Sequence, residues 1–185
     1  MNSASPGIRS RHAALACIIM IMTLLTLTAA CTQDDDPKKD SKVQAGDLIP
    51  AFSITMSDDR TLTDSDFSGR GGLILFFSTG CPDCRMELPS VQGAYDAFLD
   101  TPEDIRPLFV CIARGQTDPD IAAYWSLAGL SLPYSEQSDR SVYNLFATSG
   151  IPRIYIVGPD MRVRKLYSDT SRPSAATLVS DLSSL

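Results

Sequence analysis

"LILFFSTGCPDCRMELP", residues 73–89, is the stretch on which the reading of this chain turns. Residues 73–78 form an apolar run closed by Ser78, the length of a strand covered on both faces. Beyond the cysteines, Met86, Val91, Tyr95 and Phe98 recur at roughly helical spacing, and Pro89 falls inside that helix, where its missing N–H predicts a kink. Between the two elements stand Cys81 and Cys84, separated by two residues. A thiolate at a helix N-terminus meets unpaired backbone N–H groups and the positive end of the dipole, and both favour its charge. Cys81 is therefore the expected nucleophile. Cys84, one turn along and less exposed, is placed to attack a mixed disulfide on Cys81 and release the partner in reduced form.

The rest of the chain narrows what this pair can be. Of five cysteines, Cys17 and Cys31 fall in the N-terminal part, which leaves Cys81, Cys84 and Cys111 for the folded domain. With 44% apolar residues the chain can build a core without a disulfide framework. Cys111, inside "PLFVCIA", is expected to be a small buried hydrophobe. The one histidine, His12, lies in the N-terminal segment, so the domain has no Ser-His-Asp or Cys-His pair and no histidine ligand. A structural zinc site needs about four ligands and one C-x-x-C supplies two. No metal and no cofactor are expected beyond the redox-active pair itself. The formal charge of −6 argues against a nucleic-acid partner.

Arg9 and Arg11 precede an apolar run, residues 13–30, that ends in small residues before Cys31: the order of an export signal. The sequence "LTAAC" resembles a bacterial lipobox, in which the cysteine carries lipid, with Thr28 departing from the more usual leucine. A retained membrane span is the alternative, since 18 residues is close to the minimum of about 17. Residues 1–30 are read as a lipoprotein signal peptide and residues 31–44 as a polar tether without an apolar residue until Val43. Residues 45–185 are the domain. The acidic trio at residues 34–36 resembles a surface-export signal of Bacteroidetes-type lipoproteins and reads equally as solvated linker, so the anchored domain is expected in the cell envelope, facing the periplasm or on the outer surface.

Outward from the cysteines, a hairpin is predicted over residues 52–56 and 60–63, a second central strand in "DIRPLFVCIA", and a helix opened by Pro119 with Trp125 on its core side. A short helix in "SDRSVYNLFATSG", a strand "RIYIVG", an edge strand "MRVRKLY" and a last helix opened by Ser171 and Pro173 complete the pattern. The class is α/β: a mixed sheet with helices on both faces and an N-terminal hairpin extension.

"LILFFSTGCPDCRMELP", "SGIPRIYIVGPDMRV" and "GDLIPAFSITMSDDRTLTDSDFSG" together resemble the thioredoxin superfamily, in its membrane-anchored TlpA/ResA-like branch of thiol:disulfide oxidoreductases, over about residues 45–185. The resemblance implies that Cys81 attacks and Cys84 resolves, that Pro89 kinks the active-site helix, that Pro152 is a cis-proline facing the cysteines, and that Glu87 tunes their acidity. Ile151 would then offer backbone groups to an extended peptide. Copper-delivery relatives of this fold use a histidine with their cysteines, which the domain lacks. Three departures stand out: Gly80 precedes the first cysteine where an aromatic residue is usual, Leu75 holds the place of the buried aspartate of thioredoxins proper, and Arg153 follows the proline where a smaller residue is common. Asp83, between the cysteines, opposes the dipole's preference for a second negative charge, which favours a reductant or isomerase over an oxidase. Substrates are expected to be protein thiols and disulfides, electrons to come from a membrane-embedded relay, the membrane to be held through lipid on Cys31, and the domain to be monomeric. A peroxiredoxin-like peroxide reductase and a non-catalytic surface lipoprotein are the competing readings. The first wants a proline and a threonine ahead of its cysteine, and "ILFFSTGC" has no proline.

Overall fold

A run of apolar residues with branched and aromatic side chains forms a strand buried on both faces, and Gly72–Phe77 (β3, after the short β1 and β2) does so along all six residues. In the computed structural model, which describes residues 40–117 and 119–185, β3 is the centre of a five-stranded sheet. Leu108–Ala113 (β4) runs parallel to it, with Leu75 opposite Cys111. Arg153–Val157 (β6) runs antiparallel on the other side, and Val163–Tyr167 (β7) is the edge beyond it. Tyr134–Ser135 (β5), two residues parallel to β4, forms the opposite edge and was not predicted; two residues carry no periodicity to read. The hairpin is a separate sheet of Ser53–Thr55 (β1) and Thr61–Thr63 (β2). A 3₁₀ turn, Asp64–Phe67, follows it, closed by a reciprocal Thr63–Asp66 cap.

Side chains alternate across β3, so Leu73, Leu75 and Phe77 face one side and Ile74 and Phe76 the other. On the first side lies Pro82–Ala97 (α1), whose Tyr95, with Phe98 just past its end, packs on Phe109 of β4. Beside it Asp120–Ala128 (α2) sets Trp125 5.0 Å from Phe77, and the indole N–H donates to the Leu132 carbonyl at 2.9 Å. Ala175–Ser183 (α4, after the short α3) packs along α1. On the second side Tyr143–Phe146 (α3) packs Tyr143 and Phe146 on Phe76, with Phe52 beside the hairpin against Phe146.

Three expectations are corrected in detail. The buried stripe of α1 is Cys84, Glu87, Leu88, Val91 and Ala94, whereas Met86 is 55% exposed. The last helix opens on Ser174, whose hydroxyl caps the Thr177 N–H, rather than on Ser171 and Pro173. The end of the expected tether is docked: Lys42 and Val43 N–H groups both donate to the Phe146 carbonyl, Ser41 bridges Ala147, and Val43 is buried. The signal segment, Cys31 and the acidic trio lie outside the described residues. Among the described residues no helix is long and apolar enough to cross a membrane.

Candidate active site

The C-terminal end of β3 leads through residues 78–80 to Cys81, which is the N-cap of α1, and Pro82 takes the first helical position, where no N–H is needed. The approach loop is held by a residue that sequence reasoning missed. Gln116, just past β4, accepts from the Thr79 N–H at 2.9 Å and from the Ser78 hydroxyl at 3.3 Å, and its amide donates to the Thr79 hydroxyl at 2.5 Å. Arg85 closes the loop from the helix side by donating to the Thr79 carbonyl at 2.5 Å while lying over the Tyr124 ring. Gly80, where an aromatic residue is usual, is exposed.

All three domain cysteines are free thiols, so this is the reduced site. Cys81 is half-buried and Cys84 is fully buried. The Cys81 thiol accepts nothing from the first turn; it donates to the Ile151 carbonyl at 3.6 Å. The Ile151–Pro152 peptide is cis, and both residues are buried. Burial pushes the Cys84 thiol well above the ordinary range, the neighbouring Cys81 adds to this, and a backbone hydrogen bond from Ser78 and the Arg114 cation pull the other way. Cys111 is sealed in β4, and burial alone pushes its thiol up; it is a core residue.

Glu87 lies one turn past Cys84 on the buried stripe of α1 and is 2% exposed. One of its oxygens has no hydrogen-bond partner, and desolvation pushes the carboxyl up to about 7, against the pull of Arg172. It is the buried acid of the helix, while Leu75 fills the position where thioredoxins proper keep theirs. Asp83 does not act alone on the pair, as the sequence implied: Arg172 stands 3.6 Å from its carboxylate and also reaches the Met86 sulfur. Pro89 sits inside α1 and leaves the Arg85 carbonyl without its helical N–H.

The structure thus brings Cys81, Cys84, Asp83, Glu87, Ile151 and Pro152 to one end of the sheet and adds Gln116, Arg114, Tyr143 and Arg172. Arg114 and Gln116 follow the C-terminal end of a strand parallel to β3, the edge where α/β sheets build their sites, and that rule applied to β4 would have found them. Among the described residues no cluster of three or more metal-ligating side chains occurs.

Comparison with known proteins agrees with this geometry. The SCO1/SenC family model matches residues 40–125, a stretch that holds both cysteines of the pair and no histidine. The thiol-disulfide oxidoreductase ResA of Bacillus subtilis is 23% identical over 71% of this chain and 72% of its own. A thioredoxin-family thiol:disulfide interchange protein from Chlorobium tepidum superposes with a TM-score of 0.63 at 20% identity, covering 75% of this chain and 95% of that one. The thioredoxin domain of a thiol-disulfide oxidoreductase from Bacteroides vulgatus does so with 0.63 at 19%, covering 77% and 97%. With its dithiol at the strand-to-helix junction facing a cis-proline loop, the chain has a thioredoxin-like fold and is similar in sequence to ResA-type thiol-disulfide oxidoreductases.

Proposed function

We propose that the chain is an envelope-located, lipid-anchored reductant of protein disulfides that works through Cys81 and Cys84. The observation that carries this is the asymmetry of the pair: Cys81 is accessible and set against the Ile151 carbonyl, while Cys84 is sealed beneath it. The Cys81 thiolate attacks a client disulfide, forms a mixed disulfide and expels the client's first thiolate. Cys84, its proton given up, attacks the Cys81 sulfur, forms the Cys81–Cys84 disulfide and expels the client's second thiolate. Two electrons and two protons pass to the client. Glu87, protonated or ionised near neutrality and one turn from Cys84, is the buried group suited to hold the resolving proton.

The direction follows from what surrounds the reduced pair. Strong oxidants stabilise their reduced form through the thiolate. Here the bond from Cys81 to Ile151 exists only while the sulfur keeps its proton, and burial keeps Cys84 a thiol. In an oxidising envelope the pair must be recharged from outside, which a membrane-embedded relay would do, with lipid on Cys31 holding the domain within its reach. Purified protein should reduce insulin and Cys81→Ser should not; the potential should lie near −270 mV rather than near −120 mV. Turnover that survives loss of Cys81, or a potential at the oxidising end, refutes the proposal. Replacing Cys31 by serine should move the protein from the membrane to the soluble envelope fraction.

A further inference from the structure

Three successive carbonyls lead into the cis-proline. Ser149 accepts from Arg153 Nη2 at 2.7 Å, Gly150 from the Tyr143 hydroxyl at 2.9 Å, and Ile151 from the Cys81 thiol. The first two donors are fixed from behind. Arg153 is 1% exposed on the Phe76 face of the sheet, and its other terminal nitrogen donates to the Ser41 hydroxyl. Tyr143 is 1% exposed, packed edge-on to Phe76 with the Arg114 guanidinium 5.4 Å from its ring. Gly150 has φ +78, and a Cβ there would stand 3.0 Å from Arg153 Nη2, so the loop follows the guanidinium closely.

Ser41 is itself tied to the same loop. The Asp40 carbonyl accepts from the Thr148 N–H at 2.8 Å, the Lys42 ammonium donates to the Asn144 carbonyl at 2.6 Å, and Ser41 bridges Ala147. The arginine after the proline therefore does not enter the groove. It joins the N-terminal segment to the loop that presents the acceptor for Cys81.

We infer that Arg153 and Tyr143 are positioning residues for disulfide exchange: with Ser41 as their brace, they aim the carbonyls of residues 149–151, and so set both the partner of the Cys81 thiol and the backbone edge that receives the client. This deepens the proposed reductant function and rests on it. A buried arginine is costly to desolvate, and its two terminal nitrogens offset that cost by donating to the Ser149 carbonyl and the Ser41 hydroxyl. Asp40, the first described residue, sits beside Thr148, so the start of the described segment is braced on this loop.

The test uses Arg153→Met, Tyr143→Phe and Ser41→Ala in the full chain. Two quantities are measured: KM and kcat for insulin reduction, and the rate of Cys81 alkylation by iodoacetamide with each change placed in a Cys84→Ser background. Arg153→Met and Tyr143→Phe should raise KM at least fivefold with kcat within twofold, and should change the alkylation rate at least twofold. Ser41→Ala should move both in the same direction by a smaller factor. Variants that melt above the assay temperature yet keep wild-type KM and alkylation rate overturn the inference, since a purely structural role moves only the melting curve. If Arg153→Met does not fold, Tyr143→Phe and Ser41→Ala decide in the same terms. A wild-type chain that fails to reduce insulin defeats the reductant function, and the alkylation rates alone then decide the positioning role.

Discussion

Replacing Glu87 by glutamine tests the buried acid directly, because the change removes a titration while keeping the side chain's shape. The carboxyl titrates near 7 in the fold and near 4.5 when exposed. Below pH 4.5 folded and unfolded chains both hold the proton, and the group adds no pH dependence. Between about 4.5 and 7 the unfolded chain releases its proton while the native one keeps it, so native stability falls as pH rises. Above 7 both are ionised and the loss is complete, amounting to about 3 kcal/mol from the displacement of the titration. Glu87→Gln has no such loss. Urea unfolding of both proteins at pH 4.5, 6 and 8 should show the variant gaining on wild type by about 3 kcal/mol across the series, roughly 6–12 °C in Tm for a domain of this size. Any constant cost of seating the amide shifts all three points equally, and the carboxylates held below their usual range, Asp58 and Asp160 beside arginines and Asp139 by the Ser141 N–H, cancel in the difference. A gap between the two proteins that is flat with pH refutes a carboxyl raised by burial. A difference that moves in favour of wild type as pH rises refutes the sign. The same variant should lose the inflection near pH 7 in insulin reduction if Glu87 holds the resolving proton.

Arg172→Ala leaves Asp83 facing the dithiol uncompensated and should slow Cys81 alkylation two- to fivefold at low ionic strength; the effect should disappear in an Asp83→Asn background and fade at 1 M salt, where the screening length is about 3 Å. Gln116→Leu strips the Thr79 N–H of its acceptor and should cost about 1–3 kcal/mol in urea unfolding, with a loop that no longer fixes Cys81. Gly150→Ala, at a positive φ and against Arg153, should lower stability by about 1–2 kcal/mol and raise KM together, measured by thermal melting and insulin reduction. Cys111→Ala should cost about 1 kcal/mol by losing a buried sulfur and leave insulin reduction unchanged.

Residues 73–89 carried most of what could be read from the chain because both signals there are local. Five consecutive apolar residues, 73–77, make a strand that needs cover on two faces, and a cysteine followed by proline at the first helical position marks where that strand becomes a helix. The same holds for Trp125 and Cys111, whose burial follows from the hydrophobic elements that contain them. Met86 was misplaced for a physical reason: its helix turns its buried stripe through Glu87, so a charged residue occupies a core position and an apolar one faces solvent. Hydrophobic periodicity cannot anticipate that exchange, which puts a buried carboxyl one turn from Cys84. Asp83 has a neighbour that local reading does not supply: its charge was legible, but the nearby cation comes from residue 172, in the loop before α4.

Arg153 shows where local reading stops. In the sequence this arginine stands out only as a departure from the smaller residue common after the proline. Its partner is Ser41, 112 positions away in a segment whose polarity marked it as tether. Composition predicts that such a segment cannot fold alone, and that remains sound. Residues 40–43 need not fold alone: the carbonyls of Phe146 and Asn144 and the buried guanidinium give their polar groups partners, and Val43 supplies apolar burial. Residues 40–43 therefore belong with the loop that they brace, and a chain cut at residue 45 would keep Cys81, Cys84 and Cys111 while losing the brace behind Ile151.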